Sequence, residues 1–143
     1  MKIGIGNDHH GLYEKEIIID YFKANNIEYV DFGTNNEEKV DYVEYALKVC
    51  NAINNREIDK GILICGTGIG MSIVANKVKG IRCARVLSKE DVSLARLHNN
   101  ANVIAIPEFL EEDELINMIK TFINTEFSTE ERHIRRVEKI DNI

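Results

Sequence analysis

The residues best suited to chemistry in this chain are a cysteine and the alternating glycines behind it: Gly61-Ile-Leu-Ile-Cys65-Gly66-Thr67-Gly68-Ile69-Gly70-Met71-Ser72. A short apolar run ending at Cys65 reads as a strand, and a helix-like stretch follows the glycines. Loops at the carboxyl ends of parallel strands are where open α/β sheets bind ligands. Glycines let backbone N–H groups approach an anion closely. A helix N-terminus favours a thiolate, and a thiolate can attack a carbonyl or take a proton from carbon. The segment therefore sets a candidate nucleophile or base beside an oxyanion cradle. The plain alternative is a tight strand-to-helix turn around a buried cysteine.

Three familiar glycine loops are excluded. A dinucleotide fingerprint belongs after the first strand. Here the glycines follow the third, with Met71 where that fingerprint needs glycine, and the first strand's Gly4-Ile-Gly6 has His9 in the third slot. A nucleotide-binding P-loop would need Lys and then Ser or Thr after its last glycine, and Met71-Ser72 does not supply it. A cysteine phosphatase loop would carry arginine where Met71 stands.

Three polar clusters accompany the loop. Asp8-His9-His10 follows the first strand and opens on the same sheet edge. His10 is given no role. His98-Asn99-Asn100 ends a helix, where a histidine can be no more than a dipole partner but can also transfer protons near neutral pH. Arg132-His133-x-Arg135-Arg136 lies on the last helix. Arg132 and Arg136, four residues apart, share a face, and two guanidinium forks suit a phosphate. An ordinary solvated basic face is the alternative.

The elements that must position these groups alternate regularly. Strands are expected at Ile3–Gly6, Ile27–Phe32, Lys60–Cys65, Ile81–Leu87 and Asn102–Ile106. Helices are expected at Leu12–Asn25, from an Asp41 cap to Ile53, at Gly68–Val78, from a Ser88 cap to Leu97, at Glu111–Ile123 and at about Thr129–Ile140. This order predicts α/β architecture, with a five-stranded parallel sheet covered on both faces and an extra C-terminal helix. No repeat or boundary divides residues 1–143, so one domain is expected.

With 18 basic against 24 acidic residues, the net charge of −6 argues against general nucleic-acid binding. Three cysteines, Cys50, Cys65 and Cys83, form no Cys-x-x-Cys pair, so neither a disulfide framework nor a zinc site is expected. Cys50 and Cys83 read as small hydrophobes. No signal peptide or membrane span is apparent, and a cytoplasmic location is expected.

Taken together and in order, these segments resemble type B ribose-5-phosphate isomerases and the wider group that includes galactose-6-phosphate isomerase subunits. The likeness runs through Ile5–His9, Val30–Thr34, Val40–Tyr42, Gly61–Ser72, Ala75–Lys77, Gly80–Arg82, His98–Val103, and Arg132-His133 with Arg136-Val137. It implies a Rossmann-like three-layer α/β/α sandwich and a homodimer, or dimer of dimers, whose sites draw on two subunits. It also implies interconversion of ribose 5-phosphate and ribulose 5-phosphate in the pentose phosphate pathway, with neither cofactor nor metal. By analogy Cys65 is the base moving a proton between C1 and C2, and His98 assists ring opening. Asp8 and His9 hold sugar hydroxyls and the ring oxygen, with Tyr42 nearby. Thr67 and the loop Gly66, Gly68, Ile69 and Gly70 stabilise the enediolate. Asn99 contacts the sugar, and Arg132 and Arg136 hold the phosphate.

Two departures stand out. Pro107-Glu108-Phe109 replaces the family's usual Gly-Ser-Arg, removing a phosphate-binding cation. Asn7-Asp8-His9-His10-Gly11 replaces the usual Ser-Asp-His-Ala-Gly, a milder change. Two other readings follow: an isomerase of a six-carbon sugar phosphate such as allose or galactose 6-phosphate, and a non-catalytic sugar-phosphate-binding subunit.

Overall fold

The computed structural model describes all of residues 1–143. Five strands run β1 (Lys2–Asn7), β2 (Glu28–Asp31), β3 (Lys60–Ile64), β4 (Cys83–Arg85) and β5 (Val103–Ile106). All are parallel, in the spatial order β2-β1-β3-β5-β4. Six helices connect and follow them: α1 (Leu12–Ala24), α2 (Tyr42–Asn54), α3 (Ile69–Asn76), α4 (Lys89–Asn99), α5 (Glu112–Asn124) and α6 (Glu131–Asp141). The expected α/β sandwich is the one observed. The chain steps outward from β1 to β2 and then returns past β1 to β3. This reversal opens a crevice at the carboxyl ends of β1 and β3.

The two faces are packed differently. Ile3, Ile5, Ile62, Ile64, Ile104 and Ile106 project to one side, where α1, α4 and α5 cover them with Ile18, Phe22, Val92, Leu115 and Phe122. Each such side chain contributes about 1.5–3 kcal/mol on burial. The other side carries smaller residues, among them Ala46, Cys50, Ala52, Ala75 and Ala105, under α2 and α3. A Cβ on Gly6 would lie 2.9 Å from the backbone oxygen of Tyr45, so only glycine lets α2 approach this closely. That approach carries Tyr42, at the start of α2, to the crevice.

Element ends depart from the sequence reading where neighbours intervene. The fourth strand, expected over 81–87, pairs only at Cys83–Arg85, because it is an edge strand with β5 as its one partner. Helix α3 ends at Asn76 rather than Val78. There the Asn76 side chain receives the Cys83 N–H at 2.8 Å and donates to the Cys83 carbonyl at 2.9 Å, tying the helix end to β4. Asp41 occupies the N-cap position of α2, but its side chain makes no capping hydrogen bond. Ser88 does cap α4, accepting from the Asp91 N–H at 3.2 Å.

Candidate active site

Cys65 stands where β3 stops, 4% exposed. Its Sγ accepts the Gly68 N–H at 3.2 Å. Gly68 adopts φ +75°, the left-handed region that disfavours any side chain. A Cβ there would also press to 3.0 Å from the carbonyl carbon of Ile106. The Thr67 hydroxyl accepts the Ile69 N–H at 3.1 Å, closing the first turn of α3. The N–H groups of Gly66, Thr67, Gly70 and Met71 find no partner within the chain. Free donors at a helix start, beside a sulfur that already receives one, can hold a developing oxyanion.

Other carboxyl-edge groups converge on this loop. The Asp8 N–H donates to the Ile64 carbonyl at 3.2 Å, placing the turn after β1 against the end of β3. The Asp8 carboxylate accepts the His10 N–H at 3.0 Å. His9 Nδ1 accepts the Val40 N–H at 3.3 Å, which leaves Nε2 to carry the proton as a donor. Val40 is held by a loop with a buried anchor: Lys15 Nζ donates to the Thr34 carbonyl and to Asn35 Oδ1, both at 2.6 Å, and pairs with Asp31. Tyr42 covers Gly70, where a Cβ would stand 2.5 Å from the ring.

His10, given no role from sequence, belongs to this cluster. A Cβ on Gly66 would lie 3.8 Å from both the His10 ring and Glu108 Oε1, and His10 Nδ1 is 3.5 Å from that oxygen. Phe109, where the resemblance implies an arginine, is 87% exposed with φ +66°, its N–H held at 3.2 Å by the buried carboxylate of Glu14. Arg85 was missed altogether: from the end of β4 its Nε donates to the Thr67 carbonyl at 2.8 Å. Nothing in the sequence marks it: β5 separates β4 from β3 in the sheet, and only the folded chain brings the end of β4 to the loop after β3.

The other expected site residues lie elsewhere. His98 and Asn99 end α4 just before β5, at the amino edge of the sheet. Arg96 secures this end, donating to the carbonyls of Thr125 and Ala101 and to Asn100 Oδ1. The His98 ring stacks on His133 of α6, with centroids 4.3 Å apart and an interplanar angle of 7°. Burial, reinforced by His98 and Arg132, holds the His133 imidazole below its usual range. Asp141 at the far end of α6 pairs with Arg82, just before β4. Helix α6 therefore lies along the amino edge, and Arg132 and Arg136 with it. A strand of four or five residues separates the two edges by about 15 Å. One copy of the chain thus brings Asp8, His9, Tyr42, Cys65 and Gly66–Gly70 together, and His98, Asn99, Arg132 and Arg136 in a second place.

The remaining thiols are structural. Burial pushes the Cys50 thiol up to about 11, and burial followed by Cys50 raises that of Cys83. No group of three or more acidic, histidine or cysteine side chains is arranged to hold a metal ion. No helix is long and apolar enough to cross a membrane.

A thiol at a parallel-strand end, facing free amide donors at the sheet's switch point, defines a small-molecule site of the α/β sandwich class. The family model described as Ribose/Galactose Isomerase matches residues 3–140, and the chain belongs to that family. It is 42% identical to a putative sugar phosphate isomerase of Bacillus subtilis, covering 99% of this chain and 96% of that protein. It is 39% identical to ribose-5-phosphate isomerase B of Escherichia coli, covering 99% and 95%. Among solved structures, the Thermotoga maritima ribose 5-phosphate isomerase superposes with a TM-score of 0.95 at 44% identity, covering 99% and 98%. The Mycoplasma genitalium ribose-5-phosphate isomerase B, solved with bound ribulose-5-phosphate, gives 0.91 at 40% identity, covering 99% and 94%.

Proposed function

We propose that the chain is a ribose-5-phosphate isomerase of the pentose phosphate pathway. It acts without metal or cofactor, in the cytoplasm, as a homodimer or dimer of dimers. The observation that carries this reading is Cys65 Sγ receiving the Gly68 N–H beside the unpartnered N–H groups of Gly66, Thr67, Gly70 and Met71. Aldose–ketose isomerisation needs a base at carbon and donors for the enediolate oxygen, and this corner has both. Cys65 moves the proton between C1 and C2 while the loop donors hold the oxyanion. Asp8 and His9 Nε2 hold sugar oxygens, and Tyr42 closes the loop from above.

The reaction also needs a phosphate anchor and a group to open the ring. His98, Asn99, Arg132 and Arg136 suit these tasks, and they sit at the opposite sheet edge. A second copy supplies them. Its docking is favoured by large apolar side chains left exposed on the two helices beside the β4 edge: Ile69 and Ile73 of α3, and Leu94 and Leu97 of α4. Remote phosphate binding energy then orients the reacting carbons.

Steady-state rates on ribose 5-phosphate, allose 6-phosphate and galactose 6-phosphate test the assignment. Turnover of the pentose at a kcat/KM at least about tenfold above either hexose is expected. Preference for a hexose, or tight pentose binding without turnover, contradicts it.

A further inference from the structure

Arg85 takes no part in the proposed chemistry, yet it touches the peptide that serves the sulfur. Its Nε donates to the Thr67 carbonyl at 2.8 Å, a short charge-assisted bond. In a trans peptide the C=O and the following N–H point in opposite directions within one plane. Fixing the Thr67 carbonyl toward β4 therefore aims the Gly68 N–H away from β4. That N–H reaches Cys65 Sγ at 3.2 Å. The glycine at position 68 has no rotational preference of its own to hold this plane, since φ +75° is one of several regions open to it. The Thr67 hydroxyl is already committed to Ile69 N–H. The plane is thus held by two bonds, one on each side: Arg85 on the oxygen and Cys65 on the nitrogen.

We infer that Arg85 is a positioning residue for the Cys65 thiolate, acting through the Thr67–Gly68 peptide. Its charge adds to the geometry by polarising that peptide, which strengthens the N–H donor facing sulfur. This inference rests on the isomerase reading only for its kinetic consequence. The effect on the thiol itself stands apart from any substrate. The titratable or charged side chains around the Cys65 loop are Asp8, His9 and His10 after β1, Tyr42 of α2, Glu108 after β5, and Arg85. Of these, Arg85 alone holds the Thr67 carbonyl, so a variant at this position changes one link and leaves the others in place.

The test uses the wild-type chain with Arg85→Ala and Arg85→Lys. Arg85 is exposed, so both variants keep the core. Without substrate, the rate of Cys65 carboxymethylation by iodoacetate is followed across pH, with Cys50 and Cys83 replaced by Ala in every sample. The inflection is expected to move to higher pH in Arg85→Ala and to lie between the two in Arg85→Lys. With ribose 5-phosphate, kcat of Arg85→Ala is expected to fall about tenfold or more, the scale of one charge-assisted hydrogen bond, with KM within about twofold. Guanidinium added at millimolar concentration is expected to restore part of kcat in Arg85→Ala and none in wild type. An unmoved inflection overturns the proposal, and so does a rise in KM at unchanged kcat, which would make Arg85 a substrate contact. A shifted inflection in a protein whose wild type leaves ribose 5-phosphate unchanged would sink the isomerase reading and leave the Arg85 link standing.

Discussion

The two edges of the sheet are built from different materials. The carboxyl edge offers backbone: free amides at the start of α3, a thiol at the end of β3, and short polar side chains on turns. The amino edge offers long side chains: His98, Asn99, Arg132 and Arg136, with Lys77, Lys79 and Arg82 around a cavity of about 600 Å³. The first can bear a developing charge but offers no cation at Phe109. The second can grip a phosphate but has no thiol and no cradle. Each edge holds half of the proposed site, and the sheet that holds both rigid also keeps them apart. In the proposed dimer, a symmetric pair of chains turns this into two whole sites.

The sharpest break in the comparison is at the sulfur. Cys65→Ala is expected to lower kcat by about 10²–10⁴ with an unchanged thermal midpoint. A fall in kcat matched by unfolding would make Cys65 a core residue and nothing more. At the other edge, Arg132→Ala with Arg136→Ala is expected to raise KM for ribose 5-phosphate by about tenfold to a hundredfold and to alter kcat less. Equal KM values would leave α6 a solvated face. Gly68→Ala acts on the cradle's shape. It forces a side chain into the left-handed region against the Ile106 backbone, and a loss of about 1–3 kcal/mol in denaturant unfolding is expected, with slower turnover in the folded fraction.

The smallest effect belongs to Lys60, at the amino end of β3. It is buried and donates to the Phe122 carbonyl at 3.0 Å. Burial, with Arg96 adding, lowers its pKa to about 8. The unfolded chain then binds more protons than the folded one between pH 8 and the ordinary lysine value. Lys60's contribution to stability accordingly rises with pH across that window and is lost as pH falls through about 8. Lys60→Met should remove this rise, read as the difference between wild-type and variant unfolding midpoints at pH 7.5 and pH 10. A constant difference would show that the ammonium is hydrated in the fold.

Much of this was legible in the residues. Alternation of isoleucine and glycine in β1, the apolar run of β3 and the Ser88 cap follow local rules, and those elements fell within a residue or two of expectation. Cys65 and the glycines stand out by spacing, whereas Thr67 enters only through the resemblance. What sequence could not carry was adjacency across the sheet. His10 and Glu108 lie 98 positions apart and meet only because β1 and β5 flank β3. Arg85 reaches Thr67 from β4, an edge strand that β5 separates from β3 in the sheet. The separation of His98 from Cys65 is likewise a matter of direction. A helix leading into a parallel strand must end at the amino edge, whatever residues it carries.

The division of the site between two copies is tested most directly by mixing. Cys65→Ala and His98→Ala chains, each expected to be nearly inactive alone, are unfolded together and refolded at equal amounts. If every site takes its thiol from one chain and its imidazole from the other, half the dimers are mixed, and each mixed dimer has one intact site. Recovery of about a quarter of wild-type activity is then predicted. Activity no higher than that of either variant alone would contradict the account.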